Sequence, residues 1–240
     1  MHYKLTTLIV LLGMSLIFTL PAEAGHGAGP AKLITEAHGK LAARWWQYIT
    51  SFSADESPQF ADGEVDCTAR QNGPVIFLAG GQGGTTAVRS CTVPRKPLFF
   101  PLANFLFDNA PGEIPASVEE KRAILDGVLS DTEPGAFADA GFPGSRACGL
   151  IATLDGEPVS YHAPIVRVQS PPFLLVTGSD AVPPDANDPE AITDGYWVLL
   201  PRLASGEHTL RFVGRLCQFD NFEDHPFFGP IDITYHLTVQ

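Results

Sequence analysis

The sequence predicts a mainly β protein: a two-layer antiparallel β-sandwich, jelly-roll or immunoglobulin-like, with an N-terminal amphipathic helix and one inserted helix. The 240 residues include 23 Gly and 21 Pro, which suit short strands and many turns. The segment 231–239 alternates apolar and polar residues, a pattern typical of a strand with one face in a core and one in water. Hydrophobic residues make up 45% of the chain, enough for a core of its own.

Residues 1–24 have the organisation of a signal peptide. Lys4 precedes an apolar run over 8–20, and Ala22-Glu23-Ala24 follows as an A-x-A cleavage site. The apolar run is shorter than a bilayer requires. We therefore predict cleavage at the end of this segment and export to the periplasm or the medium. One domain is predicted over 25–240, with no membrane span once the signal is removed.

Two helices are predicted in the exported part. The first spans about 31–52, where apolar residues recur every three or four positions. Its apolar stripe consists of Ile34, Ala37, Leu41, Trp45, Tyr48 and Phe52. Trp45 is expected to anchor this helix to the body of the domain. The second helix spans about 117–129, where Ser117-Val118-Glu119-Glu120 forms a capping box.

The rest of the pattern predicts strands joined by turns. Predicted strands lie at 74–79, 85–93, 96–102, 148–154, 159–168, 173–177, 196–203, 208–213 and 231–239. Three turn signals stand out: the glycine-rich segment 80–84, Asp155-Gly156, and 204–206. Each is predicted to be the tip of a hairpin. The segment 179–193, rich in Asp and Pro, is predicted to be a long surface loop.

Four cysteines follow the signal segment: Cys67, Cys91, Cys148 and Cys217. An even number in an exported chain predicts two disulfides, with three possible connectivities. The pairs Cys67–Cys91 and Cys148–Cys217 are favoured because the first brackets a predicted hairpin. A Cys₄ zinc site is disfavoured because the chain has no C-x-x-C pair.

The charge balance argues against nucleic acids and anionic membranes as partners. Lys and Arg total 15 against 27 Asp and Glu, a net charge of −12, whereas phosphate-rich partners need clustered cations. The glycine-rich segment 80–84 has neither the spacing nor the Gly-Lys-Ser/Thr ending of a phosphate loop. We predict no nucleic-acid partner and no cofactor.

The motifs of common hydrolases and metal enzymes are missing from the sequence. The strongest remaining candidates for catalysis are His225, Asp224 and Glu223, which lie in the aromatic stretch 219–228. The alternative for this stretch is a connecting loop whose charges are solvated.

A second group of candidates could bind a metal. Asp185, Asp188 and Glu190 bring carboxylate oxygens together in one loop, and Ca²⁺ prefers such oxygens. Their spacing matches no calcium-binding loop, and the prolines between them favour a solvated acidic loop. No metal is predicted.

Several motifs together resemble a family of uncharacterised exported bacterial proteins. The motifs are Trp45-Trp46, Cys67, the run Gln71-Asn72-Gly73-Pro74-Val75-Ile76-Phe77-Leu78-Ala79-Gly80, Arg89-Ser90-Cys91-Thr92-Val93-Pro94, Leu98-Phe99-Phe100-Pro101, Asp194-Gly195-Tyr196-Trp197 and Ser205-Gly206-Glu207-His208-Thr209. This chain departs from the family pattern at Ile76, where the family has Trp, and at 94–96. The resemblance implies export, one exported domain and the disulfide Cys67–Cys91. It implies no catalytic residue.

These observations predict a non-catalytic β-sandwich that serves in binding or in envelope structure. The partner class that fits best is a glycan or another cell-envelope component. The alternative is a secreted hydrolase with a His and carboxylate site near Phe219–Phe228. The sequence leaves the ligand and the oligomeric state open.

Overall fold

The computed structural model describes residues 30–108, 116–129, 149–176, 178, 190–215 and 229–240. The helices are α1, Pro30–Thr50, and α2, Val118–Leu129. The strands are β1 Gly63–Glu64, β2 Ile76–Phe77, β3 Thr86–Val93, β4 Leu98–Phe107, β5 Gly149–Leu154, β6 Glu157–Pro158, β7 Ile165–Gln169, β8 Phe173–Leu174, β9 Glu190–Leu200, β10 Gly206–Arg215 and β11 Ile231–Val239.

The strands form two sheets that pack face to face. The first sheet has the order β1-β3-β11-β10-β5-β6, and the second has β2-β4-β9-β7 with β8 also paired to β9. Aromatic rings join the sheets across the core, since Phe100 of β4 stacks on Phe212 of β10 with ring centroids 4.9 Å apart. The prediction of a mainly β sandwich with an N-terminal helix and one inserted helix is confirmed.

The alternation in β11 fixes which side of the first sheet is buried. Its inward residues are Ile231, Ile233, Tyr235, Leu237 and Val239, and all are buried. The residues between them face outward and are half-buried or exposed. This confirms the predicted alternation, because a strand between core and water places successive side chains on opposite faces.

α1 packs on the outer face of the second sheet, where Trp45, Phe99 and Trp197 form a separate hydrophobic cluster. Its buried face is rotated relative to the predicted stripe: Ile34 is 46% exposed, whereas Gly39 is buried. A Cβ at Gly39 would lie 3.0 Å from the backbone oxygen of Gln169. The helix therefore approaches β7 most closely at its glycine.

The capping box at the start of α2 is present. The backbone N–H of Glu120 donates to Ser117 Oγ over 3.3 Å, and the Ser117 N–H donates to the Glu120 carboxylate over 2.7 Å. Leu125 and Leu129 are buried, as the apolar face requires, while Ile124 is 47% exposed. Within the described ranges, neither helix combines the length and the hydrophobicity of a membrane span.

Two of the three predicted hairpins are wrong. The segment 80–84 leads from β2 in the second sheet to β3 in the first, and 201–205 leads from β9 to β10 across the same gap. The pairs β1–β3, β3–β11 and β2–β4 are also parallel, where antiparallel pairing was predicted. A connection rich in turn residues permits either a tight reversal within one sheet or a crossing between two sheets, so the local signal does not distinguish them.

The turn at Asp155-Gly156 is confirmed, but the predicted return strand over 159–168 is wrong: Val159–Tyr161 form a 3₁₀ helix, and Ile165–Gln169 is β7 of the second sheet. Asp155 has φ 52° and Gly156 has φ 86°, as a two-residue turn with positive φ at both central positions requires. The turn joins β5 to β6, with Leu154 opposite Glu157. Pro158 lies in β6, the outermost strand of the first sheet, where a missing backbone N–H is tolerated.

The disulfide between Cys67 and Cys91 is present, with the two Cα atoms 5.9 Å apart. It joins the segment that follows β1 to the buried face of β3, so it fixes a loop against a strand rather than closing a hairpin. Cys148 and Cys217 lie outside the described residues, and their pairing stays a prediction.

We expect the double variant Cys67→Ala/Cys91→Ala to lose about 3 kcal/mol of the free energy of unfolding. The sulfur bond closes a loop with a sequence separation of 24, and opening it gives conformational freedom back to the unfolded chain. Urea unfolding followed by tryptophan fluorescence measures the loss. An unchanged midpoint in the double variant would contradict the expectation.

Candidate functional site

A concave site with an apolar lining lies between α1 and the chain segment 70–77. This cleft, called the α1 cleft below, has a volume of about 420 Å³, within the range of small-molecule sites. α1 contributes Leu41, Arg44, Gln47 and Tyr48, Ser51 follows the end of the helix, and the segment contributes 70–75 and Phe77. Wider grooves beside Glu64 and beside Arg167 are more open to solvent and have fewer large apolar side chains.

The α1 wall of the cleft is held by Trp45. Its indole Nε1 donates to the carbonyl oxygen of Leu78 over 2.8 Å. Its ring contacts Trp197 edge to face with centroids 5.5 Å apart, and Trp197 stacks on Phe99 at 5.1 Å. All three rings are fully buried. The helix is therefore fixed on the second sheet, and the side chains it presents to the cleft are fixed with it.

The opposite wall is held by Gln71. Its Nε2 donates to the carbonyl oxygens of Cys67, at 2.8 Å, and of Phe77, at 2.9 Å, while its Oε1 accepts from the Phe77 N–H at 2.7 Å. One amide thus ties Phe77, at the end of the segment, to Cys67, which lies just before its start. The disulfide of Cys67 anchors the same segment to β3. This wall keeps its shape through its own hydrogen bonds.

Most polar side chains that line the cleft are already satisfied within the protein. Gln47 Nε2 donates to a backbone carbonyl of β8 over 2.9 Å, and Ser51 Oγ donates to the carbonyl of α1 three residues earlier over 2.7 Å. Arg44 and Asn72 are exposed on the rim. Neither side chain has a hydrogen bond or ion pair to any described residue. The cleft therefore offers a ligand apolar surface and two unengaged polar groups.

A second guanidinium lies on the rim of the cleft. Arg70 is 4.3 Å from the ring centroid of Phe52, donates to the Ser51 carbonyl, and pairs with Glu56 over 3.0 Å. Inside the cleft, burial raises the pKa of Tyr48 well above its ordinary value, so its hydroxyl stays neutral at physiological pH. The rim is cationic and the floor uncharged.

The structure does not describe the catalytic candidates from the sequence. His225, Asp224 and Glu223 fall outside the described residues, as does the rest of the stretch 219–228. None of the described residues that line the α1 cleft is His, Cys, Asp or Glu. The cleft thus lacks the acid and base groups that most hydrolytic mechanisms use.

Only one of the three metal candidates lies within the described residues. Asp185 and Asp188 lie outside the described residues, whereas Glu190, predicted in a loop, is the first residue of β9, with an exposed side chain. Asp194, further along β9, is 1% exposed and bonds Arg167 over 2.9 Å. Its carboxylate serves an internal ion pair. The described residues contain no group of three or more His, Cys, Asp or Glu able to hold a metal.

The clearest histidine and carboxylate pair among the described residues is His208 with Asp155. His208 Nδ1 lies 2.8 Å from Asp155 Oδ2, and Nε2 lies 3.1 Å from the carbonyl oxygen of Ala204. Both ring nitrogens therefore face acceptors, which favours the doubly protonated ring. No nitrogen remains to take a proton from a nucleophile. The pair holds the β5–β6 turn against the 201–205 connection.

This pair predicts a pH dependence of stability. The hydrogen bond that the His208 ring donates to the Asp155 carboxylate raises the pKa of His208. Burial works in the opposite direction for Asp155, but the hydrogen bonds from His208 and the Thr209 N–H lower its pKa. The His208 contribution is full below the unfolded pKa of about 6.5. It is lost as pH rises through the raised folded value.

We expect the free energy of unfolding of the parent to exceed that of His208→Gln by up to about 1 kcal/mol near pH 5. The bound is small because 49% of the Asp155 side chain is exposed. The difference is expected to shrink as pH rises past the folded pKa of His208. Urea unfolding from pH 5 to 9 measures it, with His236→Gln as the control. A difference independent of pH would contradict the assignment.

Comparison with protein-family models, curated proteins and solved structures finds no match to this chain. The function of the α1 cleft is therefore inferred from its own chemistry. The sequence did not identify this cleft, because the stripe of α1 assigns Leu41 and Tyr48 to packing and Arg44 to the solvated side. Residues 71–74 predict a loop, but they do not indicate which face of α1 this loop packs against.

Proposed function

We propose that this protein is an exported, non-catalytic binding protein and that the α1 cleft holds its ligand. The observation that carries the proposal is the cleft itself, a mainly apolar concavity of about 420 Å³ between two internally bonded walls. Preformed walls favour binding, because little ordering is needed when a ligand enters. The absence of acid and base groups among the lining residues favours binding over reaction.

The proposed ligand is a cell-envelope component with an apolar body. A sugar presents many hydroxyl groups, and its recognition needs polar side chains free to bond them. In the cleft, Gln47 and Gln71 already bond the backbone. The exposed parts of Leu41, Val75 and Phe77 instead offer apolar contact. A lipid-derived molecule therefore suits the cleft better than a glycan.

Three observations support the exported location in this proposal. The disulfide Cys67–Cys91 suits an oxidising compartment. Residues 1–24 have the pattern of a signal peptide. The motifs around Trp45-Trp46 and the two cysteines resemble exported bacterial proteins, and we propose that the chain belongs to that family.

The test is the binding of N-phenylnaphthylamine, a neutral apolar dye whose fluorescence rises in apolar surroundings. We expect the purified protein to bind the dye and Val75→Trp to bind it at least about tenfold more weakly, because the indole fills the cleft. Val88→Trp is the matched control, since Val88 is 49% exposed on the outer face of the first sheet.

Two outcomes would contradict the proposal. Equal dye binding by the parent and Val75→Trp, with Val75→Trp folded, would remove the α1 cleft as the site. Turnover of ester, glycoside or peptide reporters by the purified protein would replace the binding function with a hydrolase. Intact reporters after incubation, measured by mass spectrometry, are the expected result.

A further inference from the structure

We infer that the ligand of the α1 cleft is an organic anion with an apolar tail, whose anionic group pairs with Arg44 at the rim. This inference rests on the proposed function and adds the chemical class of the ligand. It follows from three features of the cleft: an unengaged cation, the lack of acidic residues among the described residues of the lining, and an apolar interior of limited volume.

Arg44 is a cation on the rim of the cleft without a partner among the described residues. It lies on α1 between Leu41 and Tyr48 along the cleft wall, and its side chain is exposed. The guanidinium has no hydrogen bond or ion pair to any described residue. A guanidinium binds carboxylate and phosphate groups through paired N–H donors. Its position at the mouth suits the charged end of a ligand rather than the buried end.

The local charge is opposite to that of the whole protein. The chain carries a net charge of −12, yet Arg44 and Arg70 line the cleft, and no Asp or Glu is among the lining residues that the structure describes. Glu56 balances Arg70 from outside the lining, at 3.0 Å. The rim is therefore a small cationic site on an acidic protein. Such a local charge steers anions to the cleft and repels cations.

The interior of the cleft offers apolar surface to the tail of such a ligand. Leu41, Val75 and Phe77 are partly buried. They pack against the hydrophobic cluster beneath α1, and the remaining part of each side chain faces the cleft. Burying apolar ligand surface there is favourable. The volume of about 420 Å³ accommodates one alkyl chain or a small aromatic body.

The test compares three ligands that share one tail: dodecanoate, dodecyl maltoside and dodecyltrimethylammonium. Calorimetry on the purified, disulfide-bonded protein, below the micelle concentration of each ligand, measures the Kd. We expect dodecanoate to bind at least about tenfold more tightly than the neutral glycoside and the cation to bind most weakly. The dodecanoate Kd should rise with added NaCl, because salt screens the ion pair.

Two variants of the rim sharpen the test. Arg44→Gln is expected to weaken dodecanoate binding about tenfold and leave the glycoside unchanged. Arg202→Gln, a change at an exposed arginine outside the cleft, is the matched control and should bind dodecanoate like the parent. Glu56→Gln is expected to tighten dodecanoate binding, because it frees the charge of Arg70.

The outcomes separate this inference from the proposed function. If dodecyl maltoside binds as tightly as dodecanoate, and Val75→Trp blocks both, the anion inference fails and the binding function stands. If none of the three ligands nor the dye binds, both fail. A concentration-dependent dimer that Val75→Trp dissociates, with no dodecanoate binding, would assign the cleft to a second copy and overturn the inference.

Discussion

Gly214→Ala is expected to prevent folding or to remove more than about 4 kcal/mol of the free energy of unfolding, beyond the usual range for overpacking. Gly214 lies in β10 and faces Leu102 of β4 in the opposite sheet. An added Cβ would overlap the Leu102 carbonyl oxygen and lie 2.6 Å from its carbonyl carbon. Backbone cannot rotate away as a side chain can. The two sheets would have to separate.

The close approach has an identifiable cause in β4. The pairing of β4 with β9 shifts register between Pro101 and Ala103, which leaves Leu102 as an extra residue. Such a bulge turns backbone groups out of the regular ladder. The Leu102 carbonyl lies against β10 at the position where β10 has no side chain. A glycine is therefore required there by sheet contact rather than by backbone angles.

The matched control is Gly127→Ala in α2. A Cβ at Gly127 would meet no atom within 4 Å, and alanine favours a helix over glycine by about 1 kcal/mol. This variant should be as stable as the parent or more so. Urea unfolding with tryptophan fluorescence measures both. Equal stability of the two variants would refute the sheet-contact explanation.

Arg89→Met is expected to lose about 4 kcal/mol of the free energy of unfolding, because it leaves buried carbonyl groups without donors. Arg89 is fully buried. Its guanidinium donates to backbone oxygens of Gln59, Ala61, Ala79 and Gly80 and to the Tyr235 hydroxyl, at 2.8 to 3.0 Å. One side chain of the first sheet thus holds the 59–61 loop and residues 79 and 80, which follow β2.

A graded series tests this role. Arg89→Lys should lose less than Arg89→Met, because the ammonium group of lysine can still donate up to three hydrogen bonds, whereas methionine donates none. Tyr235→Phe removes only the hydroxyl and should lose about 1 kcal/mol. Arg211→Met is the control: Arg211 pairs with Asp232 over 2.7 Å at the surface, where such pairs contribute under about 1 kcal/mol. Equal losses for Arg89→Met and Arg211→Met would contradict the prediction.

The sequence predicted those elements whose signals are local. The capping box of α2 places both partners within one turn, and the Asp155-Gly156 turn needs only two residues with positive φ. The alternation of β11 is also local, because it is visible within residues 231–239 alone. The first disulfide was favoured because it brackets a hairpin. The pairing is correct, but the hairpin is not, because β2 and β3 belong to different sheets.

The candidate site could not be predicted in the same way. Its two walls come from α1 and from residues 70–77, and their meeting depends on the seating of Trp45 against Leu78. Of the candidate residues that the sequence offered, Glu190 lies exposed at the start of β9, and the others, including His225 and Asp185, lie outside the described residues. They remain predictions, as do the second disulfide and the signal peptide.

The sequence by itself determined the β-rich class, the two helices and the Asp155-Gly156 turn. These follow from composition and from periodicities of two and of three to four residues, which one segment expresses alone. Only the tertiary structure decided which strands share a sheet, why β10 needs a glycine, and how an arginine is satisfied at an inward position of β3. Each of these depends on atoms far apart in the chain, whose contact no local pattern encodes.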